Sequence, residues 1–83
     1  MSNTDTKQKK RLNYIKGTNI YSIKTFINFL LSSDNAVIKQ RIDHEKLEFI
    51  FYIDEQFIND DTSEVLAGLS ESFNNQLIFV ATK

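Results

Sequence analysis

"LEFIFYI", residues 47–53, is the stretch on which the fold turns. Extended, it sets Leu47, Phe49, Phe51 and Ile53 on one face and Ile50 and Tyr52 on the other. A strand that is apolar on both faces belongs inside a sheet, covered at least partly from both sides. The run is far too short to span a bilayer and is flanked by Asp54 and Glu55. It is therefore read as a central strand.

The segments on either side supply its neighbours. "DHEK", 43–46, is a tight turn in which Asp43 can bond to its own following backbone. It returns the chain from "AVIKQRI", 36–42, an alternating strand. There Ala36, Ile38, Gln40 and Ile42 share one side, and Val37, Lys39 and Arg41 share a wetter one. Further upstream, Ile20, Ile23, Phe26, Ile27, Leu30 and Leu31 recur at three and four residues, the period of one helix face, with Phe29 widening the stripe. Thr18, Asn19 and Ser22 are candidate caps, and Ser32, Ser33, Asp34 and Asn35 stop the helix. "RLNYIKG", 11–17, reads as a short strand ended by Gly17.

Downstream, "DEQFINDD", 54–61, is an acidic loop, and Asp61 with Glu64 predicts a capping box. The helix expected from about 62 to 74 would bury Val65, Leu66, Leu69 and Phe73, with Gly68 permitting close approach to the sheet. Asn74 and Asn75 end it. "QLIFVAT", 76–82, is a last strand, with Leu77, Phe79 and Ala81 facing one way and Ile78 and Val80 the other.

The order strand, helix, strand, strand, helix, strand predicts an α+β fold. It suits a ferredoxin-like βαββαβ sandwich, an antiparallel four-stranded sheet with two helices on one face. Residues 1–10 are expected to be a disordered basic arm and residues 11–83 a single domain. Without cysteine, such a domain is held by packing, with or without a partner or a second copy.

Residues 19–75 resemble the ACT regulatory domains attached to aspartate kinases, in the βαββα order and in "FIFYIDE" followed by "TSEVLAGLSESF". The resemblance implies small-molecule sensing by domains that pair side by side. Its ligand loop would be "KGTNIYS", residues 16–22, with Gly17 as the flexible point and Asn19 as the polar group. The further small residues or proline usual in that loop are missing.

Chemistry is sparse. His44 is the sole histidine and sits in the hairpin turn, and the absence of cysteine removes thiol chemistry and thiolate metal sites. Asp54 and Glu55, or Asp60 and Asp61, do not have EF-hand spacing, and Gly17 and Gly68 do not form a phosphate-binding pattern. The expectation is a non-enzyme without cofactor or metal. The lack of a long apolar run or a secretory-type start points to a cytoplasmic protein that does not enter membranes.

Residues 1–16 hold five basic residues and one acidic, a net of +4, whereas residues 17–83 hold five basic and ten acidic, a net of −5. Lys7, Lys9, Lys10 and Arg11 are the candidate nucleic-acid contacts, with Tyr52 and Tyr14 as stacking rings. The acidic body weighs against that use and suits a basic protein partner, such as the nucleic-acid channel of an enzyme that a phage or plasmid accessory protein would inhibit.

The final strand raises a conflict. In βαββαβ order it is an edge, yet it is apolar on both faces and lacks the charge, Pro or bulge that blunts natural edges. Three resolutions follow: two copies join sheets there, a partner protein covers it, or the sheet has three strands with this one in the middle. Self-association is the favoured expectation, through Ile50, Tyr52, Ile78 and Val80 on the helix-free face.

Overall fold

The structure, a computed structural model, describes residues 19–83. Within them the strand expected at 11–17, the basic arm, and the candidate residues Lys7, Lys9, Lys10, Arg11 and Gly17 do not fall.

Helix α1 covers Ile20–Leu30 and starts because Asn19 caps it: its side-chain oxygen accepts from the Tyr21 N–H at 2.8 Å. Ile23, Ile27 and Leu31, four residues apart, are buried. Phe26 and Phe29 are not in the stripe that packs: they are 46% and 75% exposed. The narrow sheet below accepts one row of α1 side chains, and these two rings lie beyond it. Ser32 takes a left-handed φ of 56°, and the Ser33 N–H closes onto the Asn28 carbonyl at 3.0 Å, which ends the helix. Asn28 itself is buried and ties α1 to the next strand. Its oxygen accepts from the Val37 N–H at 2.8 Å, and its amide donates to the Asp34 carbonyl at 3.1 Å.

Strand β1, Val37–Asp43, pairs antiparallel with β2, Glu48–Asp54. The register shifts between Val37 and Lys39, so Ile38 is an extra residue on β1. This bulge overturns part of the expected alternation. Val37 joins Ala36 in the core, and Ile38 turns out to 49% exposure, while Gln40 and Ile42 stay on the helix side. In the hairpin, Asp43 accepts from the N–H groups of Glu45 and Lys46, both at 3.0 Å. Leu47 has φ 57°, a left-handed backbone that costs a non-glycine residue roughly 1–2 kcal/mol. Its carbonyl is held by the buried Gln76 side chain at 2.8 Å.

After a short 3-10 turn at Glu55–Phe57, helix α2 covers Asp60–Ser72. The capping box lies two residues before the expected one. The Asn59 oxygen accepts from the Thr62 N–H at 2.9 Å, and the Thr62 hydroxyl accepts from the Asn59 N–H at 2.8 Å. Asp60 and Asp61 instead occupy the first turn, where the helix dipole favours them. Leu66 is buried, and Leu69 and Phe73 pack partly against the core. Val65 is 45% exposed rather than buried. Gly68 mediates no close approach: a Cβ there would meet nothing within 4 Å. Asn74 and Asn75, both at φ 58°, turn the chain into β3, Leu77–Thr82.

The sheet order is β1-β2-β3, with β3 parallel to β2. The described residues thus form a small α+β domain, broadly ferredoxin-like, on a mixed three-stranded sheet rather than an antiparallel four-stranded one. In the ferredoxin arrangement the place beside the central strand belongs to the first strand; here β3, delivered by the α2 crossover, fills it. The stretch containing "LEFIFYI" is central, as its two apolar faces demand. The final strand is an edge of the described sheet and not its middle. Phe49, Phe51 and Ile53 face both helices in one cluster with Ile23, Ile27, Leu66 and Leu77. The Phe51 ring meets Phe49 edge-on at 6.5 Å and stacks on Phe79 at 6.0 Å.

Candidate functional site

A sheet of three strands has two edges, and here they differ in chemistry. The β1 strand, an edge among the described residues, carries the bulge at Ile38 and exposed Lys39 and Arg41, devices that discourage another strand from pairing. Between Leu77 and Thr82, β3 has no charge and no proline, and its pairing with β2 is regular.

One hydrogen bond fixes which β3 groups are open. The Phe49 N–H donates to the Gln76 carbonyl at 2.8 Å. In a parallel ladder this turns the backbone of Gln76, Ile78, Val80 and Thr82 toward β2, and that of Leu77, Phe79 and Ala81 outward. The Leu77 carbonyl agrees with this phase, since it accepts from the Ser70 hydroxyl of α2 at 2.8 Å. Among the described residues no strand pairs with the outward N–H and C=O groups of Phe79 and Ala81. Beside them lies a cavity of about 240 Å³ lined by Ile58, Ser63, Leu66, Ala67, Phe79 and Ala81. The edge therefore offers backbone pairing and an apolar hole next to it.

The helix-free face adjoins this edge. Ile50 lies beside Ile78, and Tyr52 beside Val80, so the structure brings the four expected interface residues together. Ile50, however, is only 7% exposed, flanked by Arg41 on β1 and Ile78 on β3, and offers no free surface. Tyr52 and Ile78 are half-buried, and Val80 is 37% exposed.

Tyr52 also gathers two cations, Lys39 and Arg41, from the wetter face of β1. The Arg41 Nε donates to its hydroxyl at 3.1 Å, and the Lys39 Nζ lies 4.7 Å from the ring centroid. The hydrogen bond from Arg41 holds the phenol below its usual range and raises the Arg41 guanidinium in turn. Strand alternation places Lys39 and Arg41 on one side; only the hairpin register shows that Tyr52 lies opposite. Asp43 and Glu48 form a cross-strand pair at the end of the same face. Asp43 is held below its usual value chiefly by the Lys46 N–H.

The remaining candidates are occupied elsewhere. The Asn19 oxygen is the cap of α1. Asp54 caps the 3-10 turn through the Gln56 N–H at 3.2 Å and the Gln56 amide at 2.9 Å. Among the described residues no group of three His, Asp or Glu side chains is arranged to hold a metal ion. None of their helices is long and apolar enough to cross a membrane. Comparison with protein-family models, curated proteins and solved structures finds no match for the chain.

Proposed function

We propose that this chain is a non-enzymatic protein-binding module that engages its partner by sheet addition on β3. The observation that carries the reading is the contrast between the edges: β1 is guarded by a bulge and cations, and β3, with no strand on its outer side among the described residues, lies beside an apolar groove. Backbone groups of Phe79 and Ala81 would supply affinity, and the groove would select the side chain that enters it. The net charge of −5 over residues 17–83 favours a basic partner. That fits an accessory protein of a phage or plasmid that blocks a nucleic-acid enzyme of its host.

Ala81→Pro tests the reading. The Ala81 N–H points away from β2, so proline there removes an outward donor and spares the ladder. Wild-type chain immobilised in a soluble host extract should retain a protein that Ala81→Pro loses. Equal retention by both would remove the edge from the interaction.

A second reading, single-stranded nucleic acid on the sheet face, is favoured by Lys39 and Arg41 around Tyr52. Lys39→Gln with Arg41→Gln should then weaken oligonucleotide binding and flatten its salt dependence. The protein-binding reading is preferred, because Lys39 already covers the ring and Asp43 and Glu48 close one end of the face. The small-molecule sensing implied by the ACT resemblance would rest on Asn19, whose oxygen is committed to the helix.

A further inference from the structure

We infer that in the free protein a second copy of the chain is seated on this edge, its β3 added antiparallel about a two-fold axis at Val80. The inference rests on the reading of β3 as the binding edge, for which a basic partner would compete with the second copy. With Val80 opposite Val80 of the partner subunit, Phe79 lies opposite the partner's Ala81, Ile78 opposite the partner's Thr82, and Leu77 opposite the partner's Lys83.

Hydrogen-bond phase permits this register. Phe79 and Ala81 are the residues with outward backbone groups, and the axis pairs each with the other. Each such pair exchanges two bonds, and the two-fold makes two pairs, so four bonds form from the groups left open on each edge. Val80 becomes a non-bonded pair, where side chains approach most closely.

Shape is self-complementary in the same register. Phe79 points to the helix side. There it meets the partner's Ala81, a small, exposed residue lining the groove with Ala67 and Ser63. The edge of the ring turned away from Phe51 thus lies along the rim of the partner's cavity of about 240 Å³, beside the small Ser63, Ala67 and Ala81 that line it together with Ile58, Leu66 and Phe79, once in each direction. An axis at Phe79 would set two rings against each other and leave both holes empty.

Charge agrees as well. No ionised side chains meet along Leu77–Thr82. Lys83, the residue after β3, comes opposite the partner's Leu77, near the end of the partner's α2. That helix contains Glu71 and has no basic residue in its last turn, so the arriving ammonium complements its C-terminal dipole. On the opposite face the two Val80 side chains join two Tyr52 rings into one strip across the six-stranded sheet.

The test uses the absence of native cysteine. In a non-bonded antiparallel pair the Cα atoms lie about 4.5 Å apart, within disulfide range. Val80→Cys should therefore form a covalent dimer under mild oxidation. Ile78→Cys should not, because the two-fold separates its two copies by about 13 Å along the strands. Wild-type chain should have a dimer's mass by light scattering at roughly 100 μM. Ala81→Pro and Val80→Lys should reduce it to a monomer while retaining the helical circular dichroism that reports folding. A monomeric wild type overturns the second copy; the edge reading then still stands if Ala81→Pro loses a host protein that wild type retains. A wild-type dimer that neither variant dissociates and Val80→Cys does not cross-link overturns the β3 two-fold, since the contact would lie elsewhere; equal retention of host protein by wild type and Ala81→Pro is what overturns the edge reading.

Discussion

Phe51 is fully buried between two aromatic neighbours, stacked on Phe79 and edge-on to Phe49. Phe51→Ala removes those contacts and leaves a cavity that a core this small cannot collapse to fill. The expected cost is about 3–5 kcal/mol in denaturant unfolding, and a loss under about 1 kcal/mol would contradict the packing described. Tyr52 is governed by a charge instead. Its folded pKa is lowered by the Arg41 hydrogen bond, so the contribution to stability is fully present above the ordinary phenol value and is lost as pH falls through the folded one. In a Tyr14→Phe, Tyr21→Phe background, phenolate absorbance should therefore rise at lower pH than in the same chain carrying Arg41→Gln. Coincident titrations would remove the Arg41 bond from solution.

At the level of elements, α2 shows where local signals compete. Asn59 and Asp61 are both short polar residues able to cap, but the reciprocal bonds with Thr62 place the start at Asn59. An Asp-x-x-Glu pattern read along the sequence cannot reveal that an earlier oxygen wins. Gly68 sits in the exposed interior of this helix with nothing near its absent Cβ. Gly68→Ala should therefore raise stability by about 0.5–1 kcal/mol in urea unfolding, through helix propensity and a less flexible unfolded chain. A destabilised variant would show that the position is crowded after all. In β1 the bulge at Ile38 reverses the expected facing of Val37 while keeping Lys39 and Arg41 outward. It also guards that edge, so one local irregularity decides which side of the molecule is open.

At the scale of the whole molecule, function and architecture meet at the strand that fills the slot beside β2. Placing β3 parallel to the central strand buries Leu77 and, among the described residues, leaves the outer backbone of Phe79 and Ala81 without a neighbouring strand, which is why binding is proposed there. Much of this was legible in the sequence. Period-two runs located the strands, period-four spacing located Ile23, Ile27 and Leu66, and two apolar faces marked residues 47–53 as central, because each signal is carried by neighbours a few residues apart. The conflict at "QLIFVAT" was legible too, since apolar residues without charge or proline are unusual on an edge. Tertiary structure alone decided the order of the strands, the burial of Ile50, the exposure of Phe26 and Phe29, and the meeting of Tyr52 with Lys39 and Arg41. These depend on which distant segments lie side by side. Alternation fixes the face of a residue, but pairing, register and the width of the sheet fix what covers it.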